Sequence, residues 1–439
     1  MPAQSARWIA TARSLRRSGF GTTGTQVDAV VGQDWSDYVD AALASDPNAD
    51  PGALATPMPP PVPPGPAPGK SATKEARRQY NRHLTDQMTT LSAWWAHRMV
   101  AVRQPIHEKL TLLWHNHFAT SAQKVRFASD MAAQNEKLRT LSLGDFRTLA
   151  YAMLTDAAML RWLDGQSNTA KAANENLARE FMELFALGHG NGYTEDDVRA
   201  GARALTGWVV GRDGRTSLAA KRHDRGDKTV LGVTGDLDAA GFCDAVLAQP
   251  KSPVYIAGRL WQQLASDTPP SPVAMDRLVG AYGPGRDLRA LTRAILVDDE
   301  FTGGTASIIN TPVEWLVGVA RSLRVPVGTA EQLAALTAAL KDLGQRPFYP
   351  PDVGGWPHGQ VWLSTATADL RFRTATKLAA QGDVSTVSDA PTGDRIDAAG
   401  YLIGVGSWSD ATVAALKPLA GTPPALVAAA VNTPEYLTS

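Results

Sequence analysis

Apolar positions recur along most of this chain at helical spacing. Over 74–99, Leu91, Trp94, Trp95 and Met99 fall at i, i+3, i+4 and i+8, on one side of a predicted helix. Pro105 breaks the chain and suits the first turn of a next helix over 106–118. Helices are also predicted over 130–141, 143–154 and 174–187, the last stopping at Gly188. Thr194 reads as a cap for another helix. Glu195, Asp196 and Asp197 fill its first turn, where the helix dipole favours acids, and Gly207 ends it. The period then changes. Val209-Val210 and the stretch 228–233, punctuated by Gly211, Gly214, Gly226, Gly232 and Gly235, predict a β-hairpin or loop excursion. Helical spacing resumes over 238–248, 252–266, 272–282, 287–297, 312–323, 329–343 and 362–379. A Pro/Gly-rich loop at 347–359 carries Phe348, Tyr349 and Trp356. A Gly/Ser/Asp-rich stretch at 382–407 precedes two helical pieces near the end.

The predicted fold class is therefore mainly α, a large multi-helix body with one small β excursion near 208–236. Residues 1–56 read as an N-terminal helical segment turning at Gly19-Phe20-Gly21, and 70–380 as the helical core. Residues 381–439 read as a C-terminal helical segment packed on that core. Between the first two lies 57–69, of which 57–68 holds eight prolines. It can be neither helix nor central strand, and reads as a polyproline II surface insertion, with partner docking as the alternative.

Composition narrows the chemistry. Forty-three basic against 43 acidic residues leave no net charge, so nothing draws the 439-residue chain as a whole to nucleic acid or anionic lipid. One cysteine, Cys243, permits neither an internal disulfide nor a cysteine-based zinc or iron–sulfur site, and its apolar neighbours mark it as inert core. No apolar run approaches the roughly 20 residues of a membrane span, and no apolar stretch follows the N-terminal arginines. The expected location is cytoplasmic, with export alongside a partner left open. Twelve tryptophans are many for this length.

Candidate chemistry starts at Trp114-His115-Asn116-His117-Phe118. On a helix, residues two apart point about 200° apart, so both histidines reach one site only if the helix ends between them. His117 falls on the apolar side and reads as a core histidine or a ligand. His115 shares a side with Glu108, a partner that would raise its pKa and set its tautomer, for structure or for catalysis. The second candidate is 174–185. Leu177, Phe181, Leu184 and Phe185 form the apolar face, and Asn176, Arg179, Glu180 and Glu183 fall within an arc of roughly 100° elsewhere. Such a set could bind a divalent metal, act in acid–base chemistry, or be a solvated face of Arg–Glu pairs. His-Glu-x-x-His and Glu-x-x-His metal signatures do not occur. The loop 222–228, with His223, Asp224 and Lys228, is a polar loop or part of a site. Gly354-Gly355-Trp356 would rim a pocket or wrap a helix. Neither a phosphate-binding glycine loop nor a Gly-x-Ser-x-Gly elbow is present.

Several strings match one pattern together: Trp94-Trp95 with Arg98-Met99, Glu108-Lys109-Leu110, Trp114 to Ser121, Asn174 to Glu180, and Tyr193 to Val198 leading to Ala202-Arg203-Ala204-Leu205-Thr206-Gly207-Trp208. His223-Asp224 with Lys228 and Gly354-Gly355-Trp356 complete it. On these the sequence resembles the bacterial domain of unknown function 1800 family, from Gly19-Phe20-Gly21 to Pro434-Glu435-Tyr436. It departs from that pattern at Ala173, where a proline is common, and in lacking an evident export signal. The family has no agreed activity. Its members often neighbour a second family that looks like the sulfatase and alkaline phosphatase superfamily, which implies such a protein as a partner.

The resemblance implies a shared polar site. His115, His117, Glu180, His223 and Asp224 are its catalytic candidates, and Asn176, Arg179, Lys228, Trp208 and Trp356 its substrate-binding candidates. His115, His117, Glu180 and Glu183 are candidate ligands for a divalent metal ion. Trp94, Trp95, Trp114, Trp208 and Trp356 would form walls. In the enzyme reading, helices 106–118 and 174–187 lie side by side beneath the His223 and Trp356 loops, and the chemistry is metal-assisted hydrolysis or oxidation. In the alternative, the same groups are buried networks of a scaffold or chaperone for the sulfatase-like neighbour.

Overall fold

Helix starts in this chain are set by short polar side chains that accept from otherwise unpaired backbone N–H groups. Thr73 caps Lys74–Ala101, Asp145 caps Phe146–Leu154, Asp238 caps Ala239–Leu247 and Ser271 caps Pro272–Tyr282. Full capping boxes open Glu195–Ala204 (Thr194 with Asp197), Pro312–Ser322 (Thr311 with Glu314) and Ala330–Asp342 (Thr329 with Gln332). The result, in a computed structural model that describes residues 4–60, 62, 65–303 and 307–439, is a mainly helical protein. Of the proline-rich stretch, Pro61, Pro63 and Pro64 lie outside the described residues.

The predicted helices over 74–99, 106–118, 130–141, 272–282 and 312–323 are present within a few residues of their expected ends. Three regions differ. The β excursion is two antiparallel hairpins, Trp208–Val210 with Thr216–Leu218 and Lys228–Val230 with Val233–Gly235. The expected helix over 174–187 is α-helical only at Asn176–Glu180 and continues as a wider π-turn, Phe181–Ala186. The polar stretch 382–407 contains Ser385–Ser388 and Arg395–Ile403, because Ala398, Ala399, Leu402 and Ile403 give the latter a buried face that its composition disguises. A further helix, Ala157–Trp162, follows the Asp156 cap.

Two large apolar clusters make the core. One gathers Ile106, Leu110, Leu113, Trp114, Phe146, Phe181, Phe185, Phe242 and Leu260. The other joins Leu91, Trp94, Trp95 and Met99, the predicted stripe, to Trp315, Phe348, Trp356, Ile403 and Tyr436. A small third cluster holds Trp8, Ala12, Leu15 and Val27. Helix Ile106–His117 lies between the two large clusters, contributing Trp114 to one and Leu112 to the other, and every residue in it except Asn116 is buried. Burying an aromatic ring of 150–250 Å² contributes roughly 4–6 kcal/mol at ~25 cal/mol per Å². This central helix is therefore held by its neighbours, whatever its own propensity. Among the described residues no helix is long and apolar enough to cross a membrane.

Candidate functional site

Putting Glu108 inside the central helix takes a carboxylate out of water, and the chain compensates with two arginines. Arg98 Nε donates to Oε1 at 2.6 Å, while Arg139 gives Nε to Oε1 at 2.7 Å and Nη2 to Oε2 at 2.9 Å. Trp95 Nε1 donates to Oε2 at 2.9 Å. The guanidinium charges outweigh the burial and hold Glu108 down at about 2. All four of its donors are thus accounted for, and none is His115. Instead His115 sits in an aromatic box of Trp95, Phe348 and Trp356, with ring centroids 5.4, 5.5 and 5.5 Å away. Among the described residues its Nε2 finds no partner, and neither does the buried Trp356 Nε1. Burial alone pushes His115 down to about 3, the reverse of the rise that a Glu108 partner would have produced.

The next two residues dock other segments. Asn116 Oδ1 accepts from Trp356 N at 2.6 Å. The approach is so close that a Cβ on Gly355 would stand 2.3 Å from that oxygen, and Gly355 has φ +88°, so a glycine is required there. His117 Nε2 donates to the carbonyl of Phe185 at 2.9 Å, and Tyr255 Oη donates to that of Leu184 at 2.6 Å. These carbonyls lie at the end of the π-turn, where the helix's own N–H groups have run out, so the two side chains act as its cap. A carbonyl only accepts, which places the His117 proton on Nε2 and leaves Nδ1 bare, buried and without a partner among the described residues. Burial, reinforced by the charge of Arg259, pushes His117 down to about 3. The central helix and the 176–186 segment thus meet at their C-terminal ends, with Phe118 and Phe185 5.2 Å apart.

On the outer side of that segment the carboxylates stay near solvent. Arg179 grips Glu195 with both nitrogens, at 2.6 and 2.8 Å, and reaches Glu175 at 2.9 Å. Asn176 gives its backbone N–H to Asn174 Oδ1 at 3.0 Å. Glu183 accepts from His189 Nδ1 at 2.7 Å and from Tyr193 Oη at 3.4 Å. Glu180, three residues earlier and half-buried, has neither a hydrogen bond nor an ion pair among the described residues. Burial first and the Glu183 charge second raise it above the ordinary carboxylate range. One carboxyl is therefore raised and without a donor among the described residues, while its neighbour is furnished with two, at the junction of α- and π-turns.

The His223 loop stands apart from this cluster. His223 Nδ1 donates to the carbonyl of Thr206 at 2.9 Å, and Thr206 Oγ1 accepts from Asp224 N at 2.8 Å. Asp224 holds Arg203 at 2.7 and 3.1 Å, and the buried Lys228 ammonium meets Asp236 at 2.8 Å. Trp208 is half-buried on the first strand against the larger core. Arg203 and Glu195 lie at opposite ends of one helix, eight residues and so about 12 Å apart, and they separate the His223 locus from the Arg179 locus. Nor do the tryptophans converge. Trp94 donates to Thr56 O and lies under Arg139, Trp95 and Trp356 wall His115, and Trp114 faces His117. Among the described residues no three His, Cys, Asp or Glu side chains gather as a metal ion would require.

A family model matches residues 13–438, nearly the whole chain. The protein belongs to the DUF1800 family. The model describes a protein of unknown function. No curated protein and no solved structure matches this chain.

This DUF1800 chain carries one polar network that sequence reasoning missed. His358 Nδ1 lies 3.0 Å from Asp267 Oδ1, and its Nε2 is 2.9 Å from Gln262 Nε2. Arg259 Nη1 donates to Gln262 Oε1 at 2.8 Å, which turns the amide nitrogen toward His358. The chain of donors then puts the His358 proton on Nδ1, facing Asp267. The only sequence signal was a histidine in the Pro/Gly loop next to Trp356. Its partners lie more than ninety residues earlier in the chain, beyond any local pattern.

Proposed function

We propose that this chain is an enzyme whose chemistry is carried by the carboxylate pair Glu180 and Glu183. Glu180 serves as the proton-holding acid and Glu183 as its charged companion, with Arg179 and Tyr193 flanking them. The single supporting observation is Glu180 itself: half-buried, without a partner among the described residues, and raised by burial and a like charge. Such an environment shifts a carboxyl toward its protonated form, the direction that general acid work requires. The reaction class this suits is hydrolysis at a polarised bond, with water as the attacking group. Such a reaction also fits a cytoplasmic protein and does not depend on a sulfatase-like neighbour. A divalent ion on Glu180 and Glu183 would have to complete its shell from water or substrate, since His115 and His117 are turned into separate aromatic boxes.

The test is a panel of chromogenic esters, glycosides, phosphate esters and sulfate esters. Wild-type protein should turn over one class, and Glu180→Gln should lose about 10²–10⁴-fold of that rate with an unchanged melting temperature. Turnover that survives Glu180→Gln would remove this reading.

One observation favours a second reading. Glu108, His115, Asn116 and His117, the centre of the longest family string, all contact other parts of this chain. A scaffold for a sulfatase-like partner would use its motifs in that way. Co-expression with such a neighbour should then raise its yield equally with wild type and with Glu180→Gln.

A further inference from the structure

Helix Ala6–Ser18 carries Arg13, Arg16 and Arg17 at i, i+3 and i+4, a spacing that sets like charges on one face, where they repel. All three line one pocket. Neutral groups hold two of them. Arg16 Nη1 donates to the carbonyl of Glu435 at 2.9 Å. Arg17 Nη1 donates to that of Phe301 at 2.9 Å, its guanidinium 5.3 Å from the Phe301 ring. Arg16 makes no ion pair among the described residues, and its Nε is buried there without a partner. Burial pushes Arg16 down to about 10, with Tyr436 opposing and Arg13 adding to it. Burial pushes Arg17 down to about 9, with Arg13 and then Arg16 adding to it. Arginines held by carbonyls occur elsewhere, Arg321 and Arg371 among them. At this pocket three of them press on one another, and one bound anion would relieve all three through charge-assisted hydrogen bonds.

Glu435 is the acidic side chain on the pocket wall. Its carboxylate is spent on Ser409 and Thr412, accepting from Ser409 N at 3.0 Å, Ser409 Oγ at 2.8 Å and Thr412 Oγ1 at 2.9 Å. Arg16 holds only its main-chain carbonyl. The main chain of Ser439, also on the wall, is paired with Ile308 by two bonds of 2.9 Å. Three guanidinium charges against one side-chain carboxylate leave a surplus that a dianion matches better than a monovalent carboxylate does. The wall is also held in place. A Cβ on Gly406 would stand 2.6 Å from Ile9 Cγ1, and one on Gly404 (φ +66°) 2.5 Å from Thr22 Cγ2, so the 404–407 loop lies tight against the N-terminal segment. The pocket volume is about 200 Å³, about seven water-sized units at ~30 Å³ each. The geometry points to a binding site for a dianionic tetrahedral oxyanion, a phosphate ion or the head of a phosphate monoester, with Arg13, Arg16 and Arg17 taking its oxygens. None of these residues belongs to the Glu180–Glu183 surface, so the site stands or falls independently of that pair.

The test is calorimetric titration of the full chain at pH 8 with inorganic phosphate, phenyl phosphate and acetate, the ionic strength held constant with sodium chloride. Phosphate should bind saturably, and acetate at least tenfold more weakly. Phenyl phosphate tighter than phosphate identifies a monoester head as the fitting form, and the reverse order identifies the free ion. Arg13→Gln should weaken phosphate tenfold or more. Ser407→Glu, a replacement at an exposed position on the same pocket, places a competing carboxylate there and should weaken phosphate by a similar factor. It carries the test if Arg13→Gln fails to fold. Absence of saturable phosphate binding by the wild-type chain overturns the site. Phosphate binding indifferent to both substitutions overturns its location, and acetate binding as tightly as phosphate overturns the choice of a dianion.

Discussion

Two strings of the same family pattern met opposite fates. Residues 114–117 lie at the end of a helix buried between two apolar clusters, and each polar side chain there docks a neighbour or is sealed among rings. Residues 176–183 bury Leu177, Ala178, Phe181 and Met182 and leave Arg179, Glu180 and Glu183 at the surface. The histidines, whose chemistry is most obvious on paper, became neutral packing groups. The carboxylates, which could have been an ordinary solvated face, retained a perturbed and unpartnered member. Burial decides which polar residues keep their chemistry, since a fully buried group walled by rings can neither meet substrate nor hold a proton easily.

If the buried string is structural, its failures should be failures of folding. The largest should come from Glu108→Gln, which leaves two buried arginines facing a neutral amide. Loss of one member of a buried pair costs about 3–5 kcal/mol, and urea unfolding at neutral pH should show it. A loss under 1 kcal/mol would mean that the arginines find other partners.

The next effect is a pH dependence. His115 and His117 sit at about 3 when folded against an ordinary 6.5, so the unfolded chain binds more protons between these limits. Their contribution is full above pH 6.5 and is lost as pH falls toward 3. By linkage this amounts to about 2 kcal/mol for each histidine between about pH 7 and pH 5. Glu108, held at about 2 against 4.5, adds a second loss lower down, as pH falls from 4.5 toward 2. Unfolding free energies that are flat from pH 7 to 5 would contradict the burial of both imidazoles.

His115→Phe sharpens this further. It removes a buried nitrogen that has no partner while keeping a ring in the box, so stability at pH 7 should stay level or rise by up to about 1 kcal/mol. One histidine's share of the acid loss should vanish. A strong destabilisation would instead indicate that Nε2 has a partner in solution, such as a bound water. Smallest of all, Glu180→Gln should change stability by no more than about 0.5 kcal/mol, seen as an unmoved thermal midpoint. That near-zero result is what gives the activity test on the same variant its meaning.

Much of the fold was legible because its signals are local. Thr73, Thr194, Thr311 and Thr329 cap where they were expected or within a residue or two of the predicted starts, and the Leu91–Met99 stripe packs as its spacing implied. The errors also have local causes. Gly, Ser and Asp masked the buried face of Arg395–Ile403, and a run of good helix formers concealed the π-turn at 181–186. Its widening coincides with carbonyls taken by His117 and Tyr255, residues far along the chain. The candidate site was half legible. Glu180 and Glu183 were found by their arc on a helical wheel, whereas the expected convergence of His115, His117 and His223 upon them did not occur.

The sequence by itself determined a mainly helical protein with one small β excursion near 208–236, the caps that start its helices, and membership of a family recognisable from end to end. Those properties depend on neighbours within a turn or two. Only the tertiary structure decided that Glu108 would answer to Arg98 and Arg139 and not to His115. It also decided that Asp267 would meet His358. A side chain's charge state and reach depend on what surrounds it in space, and here those surroundings come from segments up to hundreds of residues apart.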